Sequence, residues 1–207
     1  MSTAPAPAPA PAPAPDPAHT ALLVLDCQPA ILAALPEAAD REALLGRVEG
    51  AIADVRALGG TVAHVRLGFT EADWDAVPAA NRSFAPLARH RVMHDGDPAA
   101  AVHERLAPRD GDIVVRKTRH GGMSTTGLDR QLRERGITTL VVAGLSTGGA
   151  VLSTVLDAAD RDYLLYVLSD GVADPDAEAH EVLLHRVLPS RAHVIGVGEL
   201  GALLGGA

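Results

Sequence analysis

Short apolar runs rich in β-branched residues alternate along the chain with longer segments whose apolar residues recur every three or four positions. Runs of the first kind are typical of buried strands, and the second spacing is typical of helices that cover a sheet. The apolar runs predict strands at 20–26, 61–67, 112–116, 138–143, 163–169 and 192–197. Because helical segments separate these strands, we expect parallel strands with right-handed crossovers. The pattern therefore predicts an α/β fold, a three-layer α/β/α sandwich with a mainly parallel sheet of about six strands.

Polar residues and glycines mark where the predicted helices begin and end. Asp40 is the predicted N-cap of a helix that closes at Gly59 and Gly60. Its apolar face consists of Leu44, Leu45, Val48, Ile52, Val55 and Leu58. Further helices are predicted from Asp97-Pro98 through Leu106, from a Thr126 cap to Arg135, and from Asp174-Pro175 through Val187, with a short helix at the end of the chain.

One stretch combines a strand, a tight bend and a helix. The strand at 138–143 stops at Gly144, and Gly148 and Gly149 follow within five residues. We call residues 144–150 the glycine bend. The helix after it presents Val151, Leu152, Val155, Leu156 and Ala159 on one stripe. The free N–H groups at the start of such a helix favour an anion or an oxyanion. The alternative is a tight strand-to-helix connection without a ligand.

Residues 68–96 interrupt the alternation of strands and helices. This excursion contains Phe69, Trp74 and Phe84, which are three of the five aromatic residues in the chain. An aromatic-rich insertion at the carboxyl end of a strand can line a substrate pocket or form a subunit contact. It can equally be a satellite cluster of side chains that anchors a long loop.

The first 18 residues differ in composition from the rest. They carry an Ala-Pro repeat that cannot form a helix or a sheet, so we predict a disordered tail with polyproline II character. The remaining 19–207 are predicted to form one domain, since about 150 residues per domain is usual.

Charge and cysteine content narrow the function classes. The formal net charge of −8 argues against nucleic acid or an anionic membrane surface as a partner. No apolar run approaches the roughly 20 residues of a membrane span, and no secretion signal is recognisable. A single cysteine, Cys27, excludes an internal disulfide and a thiolate metal cluster. We therefore expect a soluble cytoplasmic protein with a small-molecule substrate.

Three features that are able to take part in binding or catalysis lie at the carboxyl ends of predicted strands. Asp26 ends the first strand, Lys117 ends the third, and the glycine bend ends the fourth. In an open parallel sheet, ligands bind at this edge. Each feature alone also has a simple structural role, as a turn cap, a solvated strand end or a connection.

Three segments carry a resemblance to a known family: LLVLDCQP at 22–29, DIVVRKTR at 112–119 and VVAGLSTGGAVLSTVLDAADRDY at 141–163. In order and spacing they resemble the isochorismatase-like hydrolase family, also called the cysteine hydrolase family. The resemblance implies the sandwich fold predicted above and a triad of Asp, Lys and Cys. Asp26 and Lys117 match the first two members, whereas Ala150 occupies the position of the nucleophilic cysteine.

The alanine changes the expected chemistry. Removing the nucleophile of a triad costs on the order of a million-fold in rate, so hydrolysis through a thioester is not expected. Cys27 should not substitute, because neighbours on a strand point to opposite faces. True isochorismatases resemble this chain in keeping the Asp and Lys without the Cys, and they cleave a vinyl ether without a covalent intermediate. This implies Asp26 as general acid and Lys117 as its partner or a substrate ligand.

The pKa of Asp26 is subject to two opposing influences. A nearby lysine lowers the pKa of a carboxyl group, whereas burial raises it, and acid catalysis near neutrality requires the higher value. The alternative to catalysis is a non-catalytic relative that binds a small ligand or serves as an assembly scaffold.

The resemblance and the charge pattern also suggest secondary roles. Backbone N–H groups at Ser146 and Ala150 are carried over as an oxyanion site, with a cis peptide at Leu145-Ser146. The predicted substrate-binding residues are Arg66, Trp74, Phe84 and Arg119, since the basic cluster of Arg116, Lys117, Arg119 and His120 suits an anionic metabolite.

Related proteins are often dimers or tetramers, so we expect a homo-oligomer. The Asp-x-His metal motif of related nicotinamidases is missing, and His90 and His94 lack a carboxylate partner, so no metal and no cofactor are predicted.

Overall fold

The computed structural model describes residues 14–205, in which six parallel strands form a single sheet. The strands are β1 Thr20–Leu25, β2 Thr61–Leu67, β3 Ile113–Lys117, β4 Thr139–Leu145, β5 Leu164–Ala173 and β6 His193–Ile195. Their order across the sheet is β3-β2-β1-β4-β5-β6, and every neighbouring pair is parallel. The predicted α/β sandwich with six strands is confirmed.

Helices cover both faces of the sheet. They are α1 Pro29–Leu32, α2 Ala38–Ala57, α3 Glu71–Asp75, α4 Ala85–His90, α5 Leu128–Glu134, α6 Leu152–Ala159, α7 Ala177–Val182 and α8 Val197–Gly205. One face of the sheet, with Leu23 and Leu25, packs in a cluster with apolar residues of α5 and α6. The other face, with Leu22 and Val24, packs in a cluster with α2 and α8. Alternating strand residues thus build two cores, one on each side of the sheet. Within residues 14–205, no helix has both the length and the apolar character needed to cross a bilayer.

Tertiary hydrogen bonds break up the helix that Asp97-Pro98 was predicted to open. The chain instead forms two 3₁₀ turns, Pro98–Ala100 and Glu104–Leu106. Asp97 does cap the first turn, since its carboxylate accepts the N–H of Ala99. The carbonyl of Ala100, however, accepts a hydrogen bond from the buried Gln28 amide, and the His103 N–H donates to the Cys27 carbonyl. These partners take up backbone groups that a continuous helix needs.

Three predicted caps are wrong. Helix α5 begins at Leu128 with Gly127 as its N-cap, so the predicted cap Thr126 lies one residue earlier, although its hydroxyl accepts the Leu128 N–H. Helix α2 begins at Ala38, so Asp40 lies in the first turn rather than at the cap. The predicted helix from Asp174-Pro175 begins at Ala177, and its cap is Asp176, which accepts the N–H of Ala179. Asp174 is instead directed at the glycine bend, as described below. Strand β5 also runs past its predicted end, because a bulge lets its last residues pair with the end of β4.

The aromatic side chains of the excursion form a third, smaller cluster. Phe69 stacks on Trp74 at a centroid distance of 6.5 Å and packs against Phe84 at 6.2 Å. The Trp74 indole N–H donates to the Val92 carbonyl, and its side chain is only 5% exposed. Burial within one chain makes Trp74 unavailable for a subunit contact, which agrees with the satellite-cluster alternative. Homo-oligomer formation stays a prediction.

Residues 1–13 of the predicted Ala-Pro tail lie outside the described residues. From Asp16 onward the chain is regular, because the Asp16 carboxylate accepts the N–H of Ala18 and caps a 3₁₀ turn at Pro17–His19. This turn leads directly into β1.

Candidate active site

A buried ion pair lies at the carboxyl edge of the sheet. Asp26 follows β1, and its N–H donates to the Val65 carbonyl of β2. Lys117 is the last residue of β3. The Lys117 Nζ lies 2.7 Å from Asp26 Oδ2, and the two side chains are 2% and 7% exposed. The same Nζ donates to the Arg119 carbonyl at 3.2 Å. The structure thus brings the two predicted catalytic residues into direct contact.

Burial dominates the ionisation of Asp26. Loss of hydration raises its pKa from 3.8 to about 6, although the Lys117 ammonium acts to lower it. Asp26 Oδ2 contacts Lys117, whereas Oδ1 is buried and has no hydrogen-bond partner within residues 14–205. A carboxyl group with a pKa near 6 and an unpaired oxygen is able to carry and deliver a proton close to neutral pH.

The glycine bend lies beside Asp26 because of the strand register. Leu25 pairs with Gly144, so Asp26 and Leu145 follow side by side. Gly144 has φ +112°, and a Cβ there would lie 2.0 Å from the Leu25 carbonyl oxygen, so only glycine permits this close approach. The Leu145-Ser146 peptide is cis, as the resemblance implied.

Two side chains that were not predicted as site residues, Asp174 and His180, hold the glycine bend. The Gly148 N–H donates to Asp174 Oδ2 at 2.7 Å, and the buried Thr147 hydroxyl lies 2.8 Å from His180 Nδ1. Both partners come from the segment after β5, a contact that local sequence spacing does not reveal. The Gly149 N–H and the Val151 N–H both donate to the Ser146 carbonyl, which gives the turn its π-helical form before α6 begins.

Ala150 is buried in the bend and offers only a methyl group. It belongs to the same apolar cluster as Val65 and Met123. No atom of its side chain is able to attack a carbonyl carbon or lose a proton. A reaction at this position therefore needs a nucleophile that is not part of Ala150.

Phe84, Arg119 and His120 come together next to the bend. The Phe84 and His120 ring centroids are 4.7 Å apart, and the Arg119 guanidinium carbon lies 5.4 Å from the Phe84 centroid. A Cβ on Gly149 would lie 3.5 Å from His120 Nδ1, so the imidazole faces the bend. Two of the four predicted substrate-binding residues, Phe84 and Arg119, therefore lie close to the bend. His120, which was not in that set, lies there as well.

The other two predicted substrate-binding residues are engaged elsewhere. Arg66 pairs with Asp95 at 2.6 Å and donates weakly to the Ala100 carbonyl. Trp74 lies inside the satellite cluster. The neighbouring Arg116 pairs with Asp73 at 2.6 Å, so carboxylates of the excursion neutralise both guanidinium groups. A role of Arg66 and Trp74 in substrate binding stays a prediction.

Cys27 lies in the apolar cluster beneath α2, away from solvent. Burial raises the pKa of its thiol to about 12, and the negative charge of Asp26 acts in the same direction. Such a thiol holds its proton, so it is neither a nucleophile nor a metal ligand at neutral pH. Within residues 14–205, no group of three His, Cys, Asp or Glu side chains is arranged to hold a metal ion.

We expect iodoacetamide at pH 8 to leave Cys27 unmodified in the folded protein, because the thiolate is the reacting form. The same treatment in urea should add one carbamidomethyl group, which intact-protein mass spectrometry detects. Equal labelling rates in the folded and unfolded protein would contradict the burial of this thiol.

The fold and the buried Asp26–Lys117 pair are those of an α/β enzyme with its site at the carboxyl edge of the sheet. Comparison with known proteins gives the family. The isochorismatase domain model matches residues 20–199. Ureidoacrylate amidohydrolase RutB of Methylobacterium radiotolerans is 33% identical over 188 residues, which cover 82% of this chain and 71% of that protein. The uncharacterized isochorismatase family protein YecD of Escherichia coli O157:H7 is 32% identical over 186 residues, with 87% and 94% covered. The crystal structure of a cysteine hydrolase from Pseudomonas syringae pv. phaseolicola 1448A superposes with a TM-score of 0.82 at 23% identity, covering 93% of this chain and 95% of that one. The chain belongs to the isochorismatase family of hydrolases.

Proposed function

We propose that this protein hydrolyses a small anionic metabolite without a covalent enzyme intermediate, with Asp26 as general acid and Lys117 as its charge partner. The observation that carries the proposal is the buried contact of 2.7 Å between Asp26 Oδ2 and Lys117 Nζ, with Asp26 Oδ1 left without a hydrogen-bond partner within residues 14–205. Burial raises the pKa of Asp26 to about 6, which suits the role of an acid. Ala150 supports the non-covalent route, since the position that the resemblance assigns to the nucleophile holds a methyl group.

Cleavage of a vinyl ether suits these two side chains. Asp26 delivers its proton to the terminal carbon of the vinyl group, and positive charge develops on the carbon bonded to the ether oxygen. Water adds to that carbon, and the hemiketal collapses to a ketone and an alcohol. The carboxylate left on Asp26 is stabilised by the Lys117 ammonium 2.7 Å away until a proton returns. No step requires a bond between protein and substrate.

The entrance to the site favours a carboxylate on the substrate. Arg119 is partly exposed and lies over Phe84, and its guanidinium donates to the carbonyl of Thr118. We assign substrate binding to Phe84 and Arg119, and assign the backbone N–H groups of Ser146 and Ala150 to a developing oxyanion. The name of the relative RutB denotes a carboxylate substrate, ureidoacrylate, which supports an anionic substrate class here.

Hydrolysis of an amide is a second candidate, favoured by the similarity to RutB. In this reaction water attacks the carbonyl carbon directly, and Asp26 protonates the leaving nitrogen. Both candidates use the same acid and the same water nucleophile, so the substrate assay separates them. A protein that only binds its ligand is the remaining alternative from the sequence.

The pH dependence of turnover tests the proposal. We expect purified protein to release pyruvate from isochorismate, and kcat/KM to fall about tenfold per pH unit above pH 6, because only protonated Asp26 is active. A coupled lactate dehydrogenase assay follows the pyruvate. Turnover that rises from pH 6 to pH 8 would contradict an acid role for Asp26. No turnover of isochorismate or of a panel of carboxylate-bearing amides and esters would favour the ligand-binding alternative.

A further inference from the structure

We propose that His120 is the base that removes a proton from the attacking water. The inference rests on the proposed non-covalent hydrolysis, in which water takes the place of a protein nucleophile. Asp26 is already committed to proton delivery in that reaction, so the water needs a separate proton acceptor.

The position of the His120 ring supports this role. Its Nδ1 lies 3.5 Å from the point where a Cβ on Gly149 would be, and Gly149 directly precedes Ala150. The Phe84 ring packs against one side of the imidazole at 4.7 Å. The Ser146 hydroxyl oxygen would lie 2.7 Å from the same point, so His120 Nδ1 and Ser146 Oγ both border the backbone of the bend at Gly149.

The ring nitrogens of His120 are available for such a contact. Within residues 14–205 they form no hydrogen bond and no ion pair with protein atoms. Two other polar side chains at the bend are engaged, because Asp174 accepts the Gly148 N–H and His180 pairs with Thr147. His120 is therefore the imidazole at this edge of the sheet with both nitrogens free to contact water or substrate.

Burial and charge both favour the neutral form of the His120 ring. Partial burial lowers the pKa of His120, and the Lys117 ammonium at the end of β3 acts in the same direction. The other cation on this loop, Arg119, lies over Phe84. A neutral imidazole is the form that accepts a proton, as a base for water requires.

Each proton in the proposed reaction has a donor and an acceptor. The water oxygen bonds to the electrophilic carbon while its proton passes to His120, and Asp26 gives its proton to the vinyl carbon or to the leaving nitrogen. In the vinyl-ether reaction the hemiketal hydroxyl gives its proton to the ether oxygen as the C–O bond breaks, which releases the ketone and the alcohol. In the amide reaction the C–N bond breaks with the nitrogen already protonated. His120 leaves the cycle as imidazolium and Asp26 as carboxylate, and exchange of one proton between the two groups through solvent restores both.

The variant His120→Gln tests the role, because glutamine still forms hydrogen bonds but does not accept a proton. With isochorismate as substrate we expect kcat to fall by about 10² to 10³ while KM changes less than about threefold. The fall in rate below the pKa of His120 should disappear from the pH profile, whereas the fall above pH 6 due to Asp26 should persist. Free imidazole should restore part of the rate in His120→Ala. The exposed His90 at the end of α4 provides the control, and His90→Gln should match the wild type.

A His120→Gln variant that keeps its rate within threefold and retains the acidic limb would overturn the proposal. If the wild type releases no pyruvate, the proposed vinyl-ether activity fails, and the placement of His120 is then tested without turnover. Pyruvate titration followed by NMR of the histidine rings should move the His120 signals but not those of His90. Unchanged His120 signals at saturating pyruvate would overturn the placement.

Discussion

Replacing Asp26 with asparagine should reduce kcat for vinyl-ether hydrolysis by about 10³ or more, or roughly 4 kcal/mol of transition-state stabilisation. Asparagine has nearly the same shape as aspartate but carries no dissociable proton near neutral pH. The loss should appear in kcat with little change in KM, because proton delivery belongs to the transition state and not to substrate binding. Steady-state pyruvate release measures both constants.

The effect of Asp26→Asn on folding stability has to be separated from its effect on catalysis. The single substitution leaves the Lys117 ammonium buried without its counter-ion, and breaking a buried pair costs about 3–5 kcal/mol. The double variant Asp26→Asn/Lys117→Met removes both charges and should melt close to the wild type while remaining inactive. Asp97→Asn, at an exposed turn cap, should behave as the wild type. Activity within tenfold of the wild type in the double variant would show that the pair is not catalytic.

Replacing Ala150 with cysteine should create a reactive thiol in the glycine bend. The thiol would lie where the resemblance places the family nucleophile, with Asp26 to take its proton and Lys117 to stabilise the charge. We expect hydrolysis of a carboxylate-bearing amide such as succinamate to rise by at least about 10³ over the wild type, since a triad nucleophile contributes up to about 10⁶. Ammonia release measures the gain.

The new thiol also provides its own reporter. Iodoacetamide should modify Ala150→Cys once at neutral pH and abolish the gained amidase activity, while the native Cys27 stays unmodified. Ala159→Cys, at the end of helix α6 that follows the bend, is the matched control and should gain no amidase activity. If the thiol at position 150 neither reacts nor catalyses, the bend of this chain is not arranged for covalent chemistry.

The sheet was predictable from the sequence because buried parallel strands have a strong local signature. The runs at 20–26, 61–67 and 138–143 are rich in β-branched and apolar residues, and each lies within two residues of its strand at both ends. The caps were less predictable, because a carboxylate beside a proline serves equally well as a cap or as a tertiary hydrogen-bond acceptor. Asp174 illustrates this, since it binds the Gly148 N–H instead of opening a helix.

The residues of the candidate site were also predictable only in part. Asp26 and Lys117 were predicted from their places at strand ends and from the family resemblance, and they meet at 2.7 Å. The sequence did not determine the sign of the pKa shift of Asp26, because burial and the lysine charge oppose each other. The roles of Asp174 and His180 depend on a contact between residues about 30 positions apart, which no spacing rule supplies. Arg66 was grouped with the other cations by charge alone, and its partner Asp95 comes from the excursion.

The most direct test of non-covalent acid catalysis is pyruvate release from isochorismate by iodoacetamide-treated protein, with wild type and Asp26→Asn assayed side by side at pH 6. We expect the treated wild type to retain its full rate and Asp26→Asn to show about 10³-fold less. Loss of wild-type activity on alkylation, or a rate in Asp26→Asn equal to that of the wild type, would contradict non-covalent catalysis by Asp26.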